Sequence, residues 1–137
     1  HAFDVDQPGK DSYLHREAGA REVLVASNRR FALMHELRGA EEPGLAELLR
    51  RMSPADLILV EGYKRDAHAK IEVFRLANGK PYLYLEDPTI AALATDAREG
   101  LPANLPRAHL DDIAAVASLI LALARPIEET VSRLANP

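Results

Sequence analysis

The run Leu57–Val60 constrains the fold most. Its apolar residues stand side by side with no polar alternation, and Glu61 and Gly62 follow directly. An alternating strand buries one face. An uninterrupted run predicts a strand buried on both faces of a parallel sheet. Thr89–Asp96, TIAALATD, reads as a second buried strand in preference to a short helix. Before them, Leu45, Leu48, Leu49 and Met52 fall at i, i+3, i+4 and i+7, an amphipathic helix that Ser53-Pro54 stops. Strands alternating with helices predict an α/β domain with a mixed, partly parallel sheet.

The flanking segments complete the pattern. Residues 12–20 read as a short helix, capped by Asp11 or Ser12 and ended by Gly19. Val23–Ser27 and Phe31–Glu36 are strand-like runs joined by the polar Asn28–Arg30, which predicts a hairpin. Lys70–Arg75 and Pro81–Glu86, joined through Asn78-Gly79-Lys80, predict an antiparallel β-ribbon, with Ile71 and Val73 on one face and Phe74 breaking the period. Tyr82, Leu83, Tyr84 and Leu85 would place apolar groups on both faces of its second strand, which calls for a second copy of the chain to cover it. Residues 110–125 form the longest predicted helix, with Asp111 and Asp112 at its start and Arg125 at its end, as the helix dipole favours. Pro126 opens a last helix with Ile127, Val131 and Leu134 on one face.

At 137 residues the chain is read as one domain. Its net charge of −4 favours neither a nucleic-acid nor an anionic-membrane partner. The apolar stretch Ile113–Ala124, broken only by Ser118, is too short to span a bilayer. With no cysteine, disulfides and thiolate metal sites are excluded.

The chemistry concentrates in three places. Glu61 and Gly62 end an apolar strand and so put an acid at the carboxyl edge of the sheet, where open α/β sheets bind ligands. There Glu61 can orient a magnesium ion beside phosphates, with Lys64 neutralising them; the alternative is a plain ion pair of Glu61 with Lys64 or Lys70. The loop Asp4–Ser12, DVDQPGKDS, holds three carboxylates and one ammonium around Pro8-Gly9. It has the acids and glycine of a calcium loop but puts Pro8 and His15 where that loop needs oxygen ligands. Asp4 and Asp6 share a side in an extended segment and can hold magnesium, while the turn presents Lys10; the alternative is a solvated turn in which Asp11 caps the next helix. Thr95 and Asp96 close the second apolar run and can read a purine base, or simply cap a loop. The five histidines, at 1, 15, 35, 68 and 109, show no metal-pair spacing, and His35 reads as a buried or strand-end residue. Ser27 and Ser118 lack a nucleophile-elbow context.

FDVDQPGKDSYLHREAGA, the VLVAS and RRFALMHE pair, DLILVEGYKRDAHAKIEVFR and the late TD run in order from Phe3 to about Leu123. Together they resemble the molybdopterin-guanine dinucleotide biosynthesis adaptor (MobB) family. The resemblance implies a P-loop NTPase-like, three-layer fold that binds GTP and Mg2+, and a cytoplasmic homodimer. It implies an adaptor, at most a weak GTPase, serving the guanylyltransferase that attaches GMP to the molybdopterin cofactor. Carried onto this chain, Lys10, Lys64, Thr95 and Asp96 are the expected nucleotide contacts, and Asp4, Asp6 and Glu61 the expected metal carboxylates. Two other classes compete: an interaction module without nucleotide, and a small magnesium-dependent phosphotransferase. The family begins with a strand, a glycine-rich GxxGxGKT/S loop, a helix and a second strand. None of these is in the 137 residues, and Gly9-Lys10 and Gly79-Lys80 stand outside such a context. The expected description is one nucleotide-binding α/β domain over 1–137, truncated before its phosphate loop. His1 would correspond to the end of a family strand.

Overall fold

The strand Ile90–Thr95 organises the larger part of the chain, because parallel neighbours flank it on both sides. A computed structural model describes residues 4–135; His1 and Phe3, on which two of the expectations above fall, lie outside them. The chain divides into two compact units, residues 1–43 and 44–137. Each is built on its own sheet.

In the first unit, α1 (Asp11–Glu17) packs on β1 (Glu22–Ala26), which pairs antiparallel with β2 (Phe31–His35) from Glu22 opposite His35 to Ala26 opposite Phe31. This is the expected hairpin. Ser27 closes its turn: its hydroxyl donates to the Arg30 carbonyl at 3.0 Å and accepts from the Arg29 and Arg30 N–H groups. His35 is a strand-end residue whose Nδ1 lies 2.7 Å from Glu22. Gly19 follows α1 with φ of +105°, a conformation glycine adopts without steric cost. The start of α1 departs from expectation. The helix starts at Asp11, so Asp11 and Ser12 lie inside it; its N-cap is Lys10, whose side chain has no acceptor to cap with, and the Ser12 hydroxyl bonds Asp6 at 2.7 Å instead.

The second unit holds α2 (Leu45–Arg50), β3 (Lys70–Phe74), a single 3-10 turn (Leu76–Asn78), β4 (Ile90–Thr95), β5 (Arg107–His109), α3 (Ile113–Leu123) and α4 (Ile127–Ala135). Its sheet is all parallel, ordered β3–β4–β5, with Phe74 opposite Thr95 and Thr95 opposite His109. Residues 92–95 of β4 are buried on both faces, and Leu93 is 0% exposed. That burial is why TIAALATD carries no alternation. α3 covers β4 and β5, and its first turn is capped by Asp112, which accepts from the Ala115 N–H at 2.9 Å. α2 packs on α4 through the buried Leu45 and Leu49, each contributing about 1.5–3 kcal/mol of burial.

Two expected elements are not there. Leu57–Val60 is irregular and solvent-facing, with Leu59 70% exposed. The run is apolar enough for a buried strand, but the ladder of this unit begins only at Lys70 and offers it no partner edge. The ribbon of Lys70–Arg75 with Pro81–Glu86 is also absent: β3 pairs with β4, and 81–86 forms turns. Glu72 decides this. Its buried carboxylate accepts from the Leu83 N–H at 2.7 Å and the Tyr84 N–H at 3.0 Å, which takes the 81–86 backbone out of any ladder with β3. The buried side of β3 is therefore Glu72 and Phe74, with Val73 outward, the reverse of the expected phase. Tyr82 stacks on Phe74 with ring centroids 3.8 Å apart.

Candidate functional site

The loop Asp4–Lys10 folds back on α1 through two of the helix's side chains, Ser12 and Arg16. Ser12 and Arg16 are one helical turn apart and face the same way. Ser12 donates to Asp6 Oδ1, which also accepts from the Gln7 N–H at 3.0 Å. Arg16 reaches Asp4 with two nitrogens, at 3.0 and 3.3 Å. Its Nε lies 3.6 Å from Asp6 Oδ2 and 3.5 Å from Glu36 Oε1. Three carboxylates thus surround one guanidinium. The Arg16 hydrogen bond holds the Asp4 carboxyl below the ordinary carboxylate range, and Asp4 in turn raises Arg16. Arg38, in the left-handed region at φ +47°, donates to the Arg16 and Ala20 carbonyls and closes the end of α1.

Asp6 is the residue that best suits a cation. Its side chain is 6% exposed, and its Oδ2 is buried without a hydrogen-bond donor. Magnesium is commonly held by one or two carboxylates and completed by water and phosphate oxygens; here the Arg16 guanidinium already occupies both Asp4 oxygens and faces Asp6 Oδ2, so an ion at this pair would have to displace it. Within either unit, among the described residues, no three His, Asp or Glu side chains form a metal cluster. Beside this loop a cavity of about 520 Å³ is lined by Lys10, Ser12, His15 and the β1 segment Val23–Ala26. It presents the Lys10 ammonium and the His15 imidazole together with the Asp11 carboxylate, while the Ser12 hydroxyl is committed to Asp6.

In the second unit, Glu61 and Lys64 are exposed and, among the described residues, make no ion pair. Lys70 bonds Thr89 and Asp87, the latter at 3.1 Å, so it is not a partner for Glu61. Gly62 (φ +88°) and Tyr63 (φ +49°) both lie in the left-handed region and turn the chain sharply after Glu61. Thr95 and Asp96 end β4 and diverge. Thr95 lines a cavity of about 250 Å³ at the carboxyl ends of β4 and β5. Asp96 turns the other way, accepting from the Leu76 N–H at 2.8 Å and standing 3.9 Å from Arg75.

Residues 1–96 match the protein family described as molybdopterin guanine dinucleotide synthesis protein B, MobB. The chain belongs to this family. It is 44% identical over 126 residues to the molybdopterin-guanine dinucleotide biosynthesis adapter protein of Escherichia coli (strain K12), a match covering 88% of this chain and 70% of that protein. It is 35% identical over 112 residues to the adapter protein of the same name from Haemophilus influenzae, covering 81% of this chain and 60% of that one. The MobB match includes Asp4, Asp6, Lys10, Glu61, Lys64, Thr95 and Asp96, so every expected site residue lies inside it.

Arg16, Glu36 and Arg38 were not expected at the site. The signal for Arg16 was present: two acids in one loop need a counter-charge, and Arg16 shares a helix face with Ser12. Glu36 and Arg38 join through the tertiary fold of the hairpin, which no local spacing marks. Among the described residues, no helix is long and apolar enough to cross a membrane.

Proposed function

We propose that this MobB-family chain is a GTP-binding adaptor of molybdopterin guanine dinucleotide biosynthesis. It assists the guanylyltransferase that attaches GMP to molybdopterin, and is at most a weak GTPase. The observation that carries this is the 44% identity over 126 residues to a protein named as the adapter of that pathway. In this reading the domain is P-loop NTPase-like, homodimeric and cytoplasmic, and the molybdopterin cofactor is its second small-molecule partner. Lys10 and Lys64 contact phosphate, and Thr95 and Asp96 belong to the base end of the site. Asp4, Asp6 and Glu61 serve Mg2+, directly or through water. The cavity beside α1 that Lys10 and His15 line supports the assignment in the first unit.

The test is calorimetry with GTP and Mg2+. The backbone N–H groups of a glycine-rich loop supply most phosphate contacts in such sites. The protein carrying the family's phosphate loop is therefore expected to bind GTP-Mg2+, with Glu61→Gln weakening the magnesium dependence, and the 137-residue chain to bind weakly. Tight GTP binding by the 137-residue chain alone would mean the site is misplaced. A second reading, an interaction module without nucleotide, is favoured by the β1–β2 hairpin, where Phe31 is 75% and Leu24 64% exposed. Under that reading Phe31→Asp abolishes association with the partner protein, and calorimetry detects no GTP-Mg2+ binding by either form.

A further inference from the structure

Asparagine stands at 28, 78, 104 and 136, and of these Asn78 is the one followed by glycine. The pair ends the 3-10 turn Leu76–Asn78, with Gly79 as its cap at φ +59°. Both residues are exposed, and the Asn78 side chain, among the described residues, makes no hydrogen bond. Two backbone hydrogen bonds form the turn. The Asn78 N–H donates to the Arg75 carbonyl at 3.0 Å, and the Gly79 N–H to the Leu76 carbonyl at 3.1 Å. The turn is anchored from outside by Asp96, at the end of β4. Its Oδ1 accepts from the Leu76 N–H at 2.8 Å, and its Oδ2 lies 3.9 Å from Arg75.

An asparagine amide carbon next to a glycine nitrogen is open to attack from within the chain. Glycine carries no Cβ to crowd the approach of its nitrogen. In that reaction the Gly79 nitrogen loses its proton to water and bonds to Asn78 Cγ. The Cγ–Nδ2 bond breaks, and ammonia leaves with the proton. Water then opens the five-membered imide at either carbonyl, giving aspartate or isoaspartate. The folded turn opposes the first step, because the Gly79 nitrogen must give up its bond to Leu76 before it can turn on Cγ. A three-residue 3-10 turn on the surface has little else to resist opening, which leaves the Asp96 anchor as the restraint from the core sheet. We propose that Asn78 is a site of spontaneous deamidation through the Gly79 nitrogen, and that Asp96 sets its rate by holding the turn shut. Isoaspartate adds one carbon to the main chain and one carboxylate to the turn. The spacing of the 3-10 turn is then lost, and Asp96 is released from Leu76.

The 137-residue chain is held in neutral buffer made with heavy-oxygen water, as wild type, Asp96→Ala, Asp96→Asn and Asn78→Gln. Peptide mapping by mass spectrometry follows each asparagine with time and separates aspartate from isoaspartate. Wild type is expected to convert Asn78 to both products. It should do so faster, by about tenfold or more, than at the exposed Asn28 and Asn104, where Arg29 and Leu105 follow with a Cβ. Asn78→Gln removes the signal. Asp96→Ala should speed conversion about threefold to tenfold, the worth of one hydrogen bond. Asp96→Asn keeps an acceptor oxygen for the Leu76 N–H and should restore a rate within about threefold of wild type. Wild type in urea, where nothing holds the turn, is expected to convert at least as fast as Asp96→Ala, and this arm serves even where the alanine variant fails to fold. Conversion of Asn78 no faster than of Asn28 and Asn104 overturns the proposal. So does a wild-type rate in folded Asp96→Ala, or a rate that urea leaves unchanged.

Discussion

Arg16 holds Asp4 with a two-pronged contact, Nη1 to Oδ1 at 3.0 Å and Nη2 to Oδ2 at 3.3 Å. The same guanidinium pairs with Asp6 and Glu36 through its Nε. It ties three chain segments together: the loop, α1 and the exit of the hairpin. Arg16→Gln is therefore expected to free the loop without unfolding the second unit, which has its own sheet. Amide exchange at Asp6, whose N–H is donated to Asp4, should quicken by about threefold, the scale of an exposed charge pair. Arg16→Lys should recover little of this, since an ammonium cannot make the two-pronged contact. Unchanged exchange in Arg16→Gln would show that backbone turns alone hold the loop.

Acid should weaken both units, for the same reason. Asp4 is held below its ordinary value of 3.8 by the Arg16 hydrogen bond first. Asp87 is held below 3.8 by the Thr89 hydroxyl first, which donates to it at 2.5 Å, with Lys70 adding its charge. A carboxylate with a depressed folded pKa contributes stability that is present above the unfolded value. That stability is lost as pH falls from 3.8 through the folded value. Urea midpoints measured from about pH 5 to about pH 2 should fall, and fall less steeply in Asp4→Asn and Asp87→Asn. Parallel curves for wild type and both variants would refute the assignment.

His68 works in the opposite pH direction from a salt-bridged histidine. Burial first, and the Lys70 charge second, hold its imidazole below 6.5, and its Nδ1 is buried without a partner. As pH drops below 6.5 the unfolded chain takes up a proton that the folded chain refuses. Stability therefore declines until pH passes the folded value, where the loss stops. The ring resonances of His68 should titrate below 6.5, and His68→Gln should flatten the stability curve in that window. Titration of His68 at or above 6.5 would be incompatible with its half-buried position beside Lys70.

Legibility followed the range of the interaction. The β1–β2 hairpin, α2, α3, α4 and β4 were readable because turn residues, helical spacing and an unbroken apolar run are local signals. Leu57–Val60 misled because an apolar run records the wish to be buried, not the existence of a partner edge. Residues 78–86 misled for a related reason. Gly79 does adopt a left-handed φ of +59°, but it ends a 3-10 turn rather than a hairpin. What happens next is set by Glu72 and by the parallel pairing of β3 with β4, both distant in sequence. At the candidate site the acids and Lys10 were readable from the composition of one loop. The lining of the β4–β5 cavity was not, because Arg98, Arg107 and His109 meet only once two parallel strands lie side by side.

The sharpest test of that packing is Glu72 itself. A carboxylate 7% exposed survives there because two N–H groups, of Leu83 and Tyr84, converge on it. Glu72→Ala removes the acceptor and leaves both donors unpaired beside the Phe74–Tyr82 stack. Charge-assisted hydrogen bonds of this kind are worth about 1.5–3 kcal/mol each, and partial access of water to the two donors reduces the sum, so a loss of about 2–4 kcal/mol is expected in chemical denaturation. Glu72→Gln keeps one carbonyl oxygen as acceptor and should lose about half as much. Tyrosine emission should report the loosening of Tyr82 in the alanine variant before the global transition. If Glu72→Ala matches wild type in stability, the 81–86 segment is held by the aromatic stack alone. In that case Tyr82→Ala, and not the glutamate substitution, should release it.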